Sequence, residues 1–314
     1  MTRQSTVTPT TETLSRRAFL TSLGAAGLGT ASLGSVGRVS ATPASDISDS
    51  RADTDLLADP AELEAVIDDL LADRIGTTTP GATVAVVSGD ASILTKGYGS
   101  ADVDADVPVQ ADETVFRVGS VGKLLTYTAV MQGVERGVLD LDTDVNSYLG
   151  DSSVTVPETY GQPVTLRHLG THTAGFESAL DPEVVANPDA LDPLETVLTA
   201  KQPSRIRPPG ELVGYSNYGA ALAGHVVASA RDTTFEAYVQ SELFEPLGMT
   251  HSTFAQPVPD DQPGVLAAPH IQGEGSFTVA DDVYINMRPA GSLSTTATDM
   301  AAFMSAHLCD GAVG

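Results

Sequence analysis

Between Ala82 and Tyr98 lies the stretch of this 314-residue chain that reads most plainly as sheet, and the residues beyond it read mostly as helix. Ala82–Val87 and Ala91–Tyr98 are β-branched runs joined by Ser88-Gly89-Asp90, the composition of a hairpin turn. Ahead of them, Ala61–Arg74 sets Leu63, Val66, Ile67, Leu70 and Leu71 at helical spacing, with acids on the other face. Behind them, Val121–Arg136 is apolar nearly all round its first turns, which predicts a buried helix. Further helices are predicted at Leu194–Lys201, Tyr218–Ala230, Phe235–Leu243 and Thr298–His307. One hairpin followed by helices predicts an α+β domain, an antiparallel sheet flanked by helices. Two strands alone are marginal, so the sheet needs more of them, and the C-terminal quarter does not plainly supply any. There is no internal repeat and no low-complexity tract.

Charge narrows the partners. The chain carries 16 basic and 41 acidic residues, net −25, and its only lysines are Lys96, Lys123 and Lys201. Nucleic-acid phosphates and anionic lipid heads both call for a basic surface, so neither is an expected partner. Self-repulsion at this charge strains a fold at low salt, whereas molar salt shortens the screening length to about 3 Å. An Asp-rich, Lys-poor chain therefore fits a salt-loving host, an archaeal one by expectation. A single Cys309 excludes internal disulfides and a cysteine-built zinc site.

The first forty residues read as an address. Ser15-Arg16-Arg17-Ala18-Phe19-Leu20 precedes a Gly- and Ala-rich apolar stretch, Thr21 to Val36, and Val39-Ser40-Ala41 offers small residues for cleavage. Residues 1–41 resemble a twin-arginine signal peptide, which implies export of a secreted protein, the plainer alternative being a short N-terminal membrane anchor. Residues 42–60 read as a polar leader, and 61–314 as one globular domain. Without residues 1–41, 12 basic and 40 acidic residues remain, net −28. No later segment is apolar enough for long enough to span a bilayer.

Chemistry enters at Ser120-Val121-Gly122-Lys123, a hydroxyl and an ammonium three residues apart on one face of a helix start. A serine hydroxyl needs a neighbouring proton acceptor to become a nucleophile. A buried lysine has its pKa lowered by desolvation and can serve. The helix N-terminus favours the developing alkoxide. Ser120 as a helix cap with Lys123 in solvent is the plainer alternative. Other constellations fail. There is no G-x-S-x-G; His168 and His172 are spaced i, i+4 but lack the Glu after the first, so they read as structural rather than metal ligands.

Ordered blocks surround the serine. Val115 to Ser120 leads in, Gln132 to Asp142 comes next, and then Val164-Thr165-Leu166-Arg167-His168-Leu169-Gly170-Thr171-His172-Thr173-Ala174-Gly175-Phe176, Pro209-Gly210-Glu211, Tyr215-Ser216-Asn217-Tyr218-Gly219 and Pro246-Leu247-Gly248-Met249. Pro289 to Met300 forms a later block. The run, over about residues 60 to 308, resembles the serine β-lactamase and penicillin-binding-protein superfamily, nearest its class C-like branch. That resemblance implies a β-lactamase/transpeptidase-like fold and a serine hydrolase working through an acyl-enzyme. It implies Ser120 as nucleophile, Lys123 as its partner, Tyr215 as proton relay, and Asn217 as a contact to substrate or to Lys123. Tyr284-Ile285-Asn286 repeats the Tyr-x-Asn pattern but lacks the Pro-Gly-Glu lead-in and the following Gly of Tyr215. No cofactor is implied, and the substrate is expected to be a small molecule or peptide: a β-lactam, a D-amino-acid peptide or an ester.

The superfamily also carries a Lys or His, a small residue and Gly on a strand beside the nucleophile, where a backbone N–H completes the oxyanion hole. No such tripeptide follows Tyr215; His168-Leu169-Gly170 has the letters but precedes it. The expectation is that the C-terminal strands are missing, the chain being either a fragment or a shortened protein. The alternative function is a non-catalytic binding or remnant protein.

Overall fold

The computed structural model describes residues 57–177 and 183–311, so the expected signal peptide and nearly all of the leader lie outside the described residues. Helix α1 (Pro60–Ala72) starts where Asp59 accepts the Ala61 and Glu62 N–H groups, with Pro60 at a first-turn position that needs no donor. Strands β1 (Gly81–Ser88) and β2 (Ala91–Asp102) form the expected hairpin, its turn closed by Gly89 at φ +59°. Lys96 on β2 ties that hairpin to α1 through Glu64 and Asp68, at 2.6 and 2.8 Å. The two-residue strand β3 (Val107–Pro108) adds a third, antiparallel member.

The other strands, which sequence periodicity does not reveal, are short. Strand β4 (Thr114–Arg117) leads into the 3₁₀ turn Gly119–Gly122 and helix α2 (Lys123–Glu135). Next come α3 (Leu166–Gly170), β5 (Val184–Val185), α4 (Leu194–Ala200), α5 (Asn217–Ala230) and α6 (Phe235–Val239). A three-residue helix, α7 (Glu245–Leu247), precedes β6 (Val265–Leu266), β7 (His270–Gln272), β8 (Phe277–Val279), β9 (Tyr284–Ile285), β10 (Ser294–Thr295) and α8 (Ala297–Leu308). β4 sits between β10 and β6 in a second three-stranded sheet, and β5–β9 and β7–β8 form separate pairs. All these pairings are antiparallel except β4–β6, which is parallel and departs from the expected antiparallel sheet. Two-residue strands carry too few side chains to show alternation, which hid them in the sequence.

The main core is helical. Helix α5 is buried from Asn217 to Ala228, and its alanines and glycines let neighbours close in on every side. Helix α2 corrects an expectation. Leu125, Ala129 and Val130 are buried, but Leu124 and Met131 are 57% and 51% exposed. Apolar residues all round a helix predict burial only if every face has a covering element; one face of α2 borders a cleft instead. The predicted helix Phe235–Leu243 is also broken: a single π turn, Gln240–Phe244, separates α6 from α7. Pro246 has no N–H for the Glu242 carbonyl, and the Gln132 side-chain amide donates to that carbonyl instead, at 3.0 Å.

Candidate active site

Gly119, at φ +55°, reverses the chain between β4 and the 3₁₀ turn, a conformation that favours glycine. Gly122 then brings the turn against the core: a Cβ there would stand 2.9 Å from the Leu293 Cβ. Ser120 lies in this turn, and Lys123 is the first residue of α2. Lys123 Nζ is 3.0 Å from Ser120 Oγ, and the Tyr215 hydroxyl donates to the same oxygen at 2.8 Å. Tyr215 comes from the residues just before α5. There Ser216 caps the helix by accepting the Gly219 N–H at 2.9 Å, which fixes the helix start and the Asn217 side chain with it.

Lys123 is 7% exposed, and its hydrogen-bond partners are all uncharged. Beyond Ser120 they include Asn217 Oδ1 at 2.8 Å and the Ala290 carbonyl oxygen. Burial pushes the Lys123 pKa below the ordinary lysine range, with the Tyr215 hydroxyl opposing that shift. A neutral amine has two N–H groups and one lone pair. Asn217 Oδ1 and the Ala290 carbonyl can only accept, so they take both hydrogens and leave the lone pair facing the Ser120 hydroxyl. The geometry thus suits a proton acceptor beside a nucleophile. Of the two roles expected for Asn217, its buried side chain makes the contact to Lys123.

The 3₁₀ turn Arg288–Ala290 presents the third acceptor. It lies so close to α5 that a Cβ on Gly224 would meet the Pro289 Cβ at 2.5 Å, and Thr126 Oγ1 on α2 holds the Pro289 carbonyl at 2.7 Å. Sequence reasoning missed Ala290 because every residue has a carbonyl, and only folding decides which one is aimed. It also missed His172, whose ring centroid lies 4.6 Å from that of Tyr215. His172 sits at φ +55° and its Nδ1 accepts the Ser216 N–H at 3.2 Å, so the neutral ring carries its proton on Nε2. Burial, and secondarily the Lys123 charge, hold its pKa below the usual histidine value. Its place in the block from Val164 to Phe176 was the available signal. His168 serves structure: it forms a capping box with Thr165 at the start of α3. Tyr284 lies in β9 opposite Val185 of β5, and the buried Asn286 accepts the Asp192 N–H at 2.8 Å. A cleft of about 410 Å³ opens beside Ser120, lined by Lys123, Leu124, Tyr127, Met131 and His172 among others.

The family model described as Beta-lactamase matches residues 63–313. The chain belongs to the beta-lactamase family. Penicillin-binding protein 4 of Amycolatopsis lactamdurans is 30% identical over 243 residues, 74% of this chain and 60% of that protein. The ML-236A carboxylate methylbutanoyltransferase of Penicillium citrinum is 31% identical over 234 residues, 65% of this chain and 54% of that protein. Among solved structures, the octameric penicillin-binding protein homologue from Pyrococcus abyssi superposes with TM-score 0.65 at 27% identity, covering 79% of this chain and 56% of that one. This beta-lactamase-family chain therefore spans about half the length of these relatives. Its fold is β-lactamase/transpeptidase-like, with mixed helices and strands in small sheets, as the resemblance implied.

Proposed function

We propose that this chain carries the acylating machinery of a serine hydrolase, nearest the class C-like branch of its family. In this reading Ser120 Oγ attacks an amide or ester carbonyl and its proton passes to Lys123. Tyr215 returns a proton to the leaving amine or alcohol, and water then releases the acid from the acyl-enzyme. One observation carries the reading: Ser120 Oγ lies within hydrogen-bonding distance of both a buried amine and a phenol, and that amine also donates to Asn217 Oδ1 and the Ala290 carbonyl oxygen, which can only accept. One relative is named for moving a methylbutanoyl group and others for binding penicillin, and an acyl group passing to an oxygen is chemistry this cluster suits. The paired Arg16-Arg17 ahead of an apolar stretch supports twin-arginine export and an extracellular site of action, on a small-molecule or peptide substrate. The acid excess and three lysines support a salt-loving archaeal host.

A fluorescent fluorophosphonate or penicillin, followed by intact-mass measurement, tests the assignment. The 314-residue chain is expected to take up one label at Ser120 and the Ser120→Ala variant none. A folded chain that stays unlabelled at both low and molar salt overturns the hydrolase reading and favours a non-catalytic family member.

A further inference from the structure

We propose that the cleft beside Ser120 binds the apolar acyl chain of a neutral ester, laid along the open face of α2. This rests on Ser120 being the nucleophile. Ser120, Leu124, Tyr127, Thr128 and Met131 succeed one another at helical spacing, so the proposed nucleophile and two exposed aliphatic side chains share a face. In a chain with 41 acidic residues, none of the described side chains lining this cleft is a carboxylate, and Lys123, the lysine in its wall, is buried among its own partners. The basic side chains of this wall, Lys123, His172 and His307, are each hydrogen-bonded within the protein, and beside them methylene groups have Leu124, the Tyr127 ring and Met131.

The wall also has an end. At Thr128, Met131 and His307 the cleft meets a second cavity of about 580 Å³, and there Glu135, Asp310 and Glu242, the last paired with Arg136 at 2.7 Å, come into the lining. From Ser120 to Met131 the chain advances eleven residues, about 16 Å at helical rise. An acyl chain of medium length fits between the nucleophile and those acids. A longer chain, or one ending in its own carboxylate, runs into like charge or polar surface.

The test compares kcat/KM for p-nitrophenyl acetate, octanoate and the suberate half-ester on the full chain. The octanoate-to-acetate ratio is expected to be about tenfold or more, since each fully buried methylene is worth roughly a factor of four and this cleft is half-open. The suberate half-ester should lose most of that gain. In Met131→Glu the octanoate-to-acetate ratio should fall towards one; because it is internal to each variant, partial misfolding does not mimic the effect. A flat chain-length profile with Ser120 still labelled overturns the acyl cleft and leaves the nucleophile standing. If no ester is turned over, calorimetry of octanoic anilide with Ser120→Ala reads the cleft alone. Binding that Met131→Glu abolishes upholds the proposal, and no binding to Ser120→Ala overturns it.

Discussion

Lys123 meets three uncharged partners in a buried position, and that fixes how the site responds to pH. Its folded-state pKa lies below the ordinary lysine value that the unfolded chain retains. Between the two values the unfolded chain binds more protons, so stability rises with pH across that window and levels off near the ordinary lysine pKa. Labelling of Ser120 should rise through the same lowered pKa, because only the neutral amine has a lone pair to offer. Lys123→Arg keeps a charge that cannot be given up; it should slow labelling by roughly 100-fold or more and remove the alkaline rise, read as label uptake against pH. An unchanged pH profile in that variant would show that the base is another group. Tyr215→Phe deletes the hydroxyl that donates to Ser120 Oγ and is expected to slow labelling by roughly 100-fold. At this scale the sequence was informative: the Ser120–Lys123 spacing and the Tyr215–Asn217 block named four side chains that the fold brings together. The Ala290 carbonyl and the His172 ring were not legible, because their parts depend on where the backbone turns.

The elements that aim these groups meet at close quarters. Helix α5 and the turn Arg288–Ala290 approach within a distance that admits no side chain at Gly224. Gly224→Val should destabilise the fold by about 1–3 kcal/mol through overpacking, measured by denaturant unfolding. Because the displaced turn carries the Ala290 carbonyl, labelling in the still-folded fraction should fall as well. Loss of stability with labelling intact would mean that the carbonyl is not needed. Helices α1, α2, α4, α5 and α8 were readable from apolar spacing, as was the hairpin, since each is long enough to show a period. The π turn before Pro246 and the strands of two or three residues were not. The turn answers a side-chain donor from α2, and the strands form from backbone groups that chance to be opposed.

Across the whole molecule, charge sets how stability responds to the solvent. Seven ion pairs link the described residues, every one at least partly open to solvent and so weakened by screening. They do not offset a net charge of −25, whose repulsion falls as the screening length shortens from about 10 Å at 0.1 M salt to about 3 Å at 1 M. The thermal midpoint is therefore expected to rise by several degrees between 0.1 and 2 M KCl, followed by circular dichroism. A midpoint that stays level or falls would show that the acidic surface is not under strain. What the sequence by itself determined is the set of long elements, the acidic character and the Ser120–Lys123 pair, because periodicity, composition and fixed spacing are properties of the chain, while Tyr215 and Asn217 were named by the family resemblance of their block. Tertiary structure alone decided which carbonyl completes the Lys123 cage, that α2 leaves one face open beside Ser120, and where that apolar wall ends. Those depend on which surfaces meet, and contacts between residues 95 and 167 positions apart leave no period in the chain that makes them.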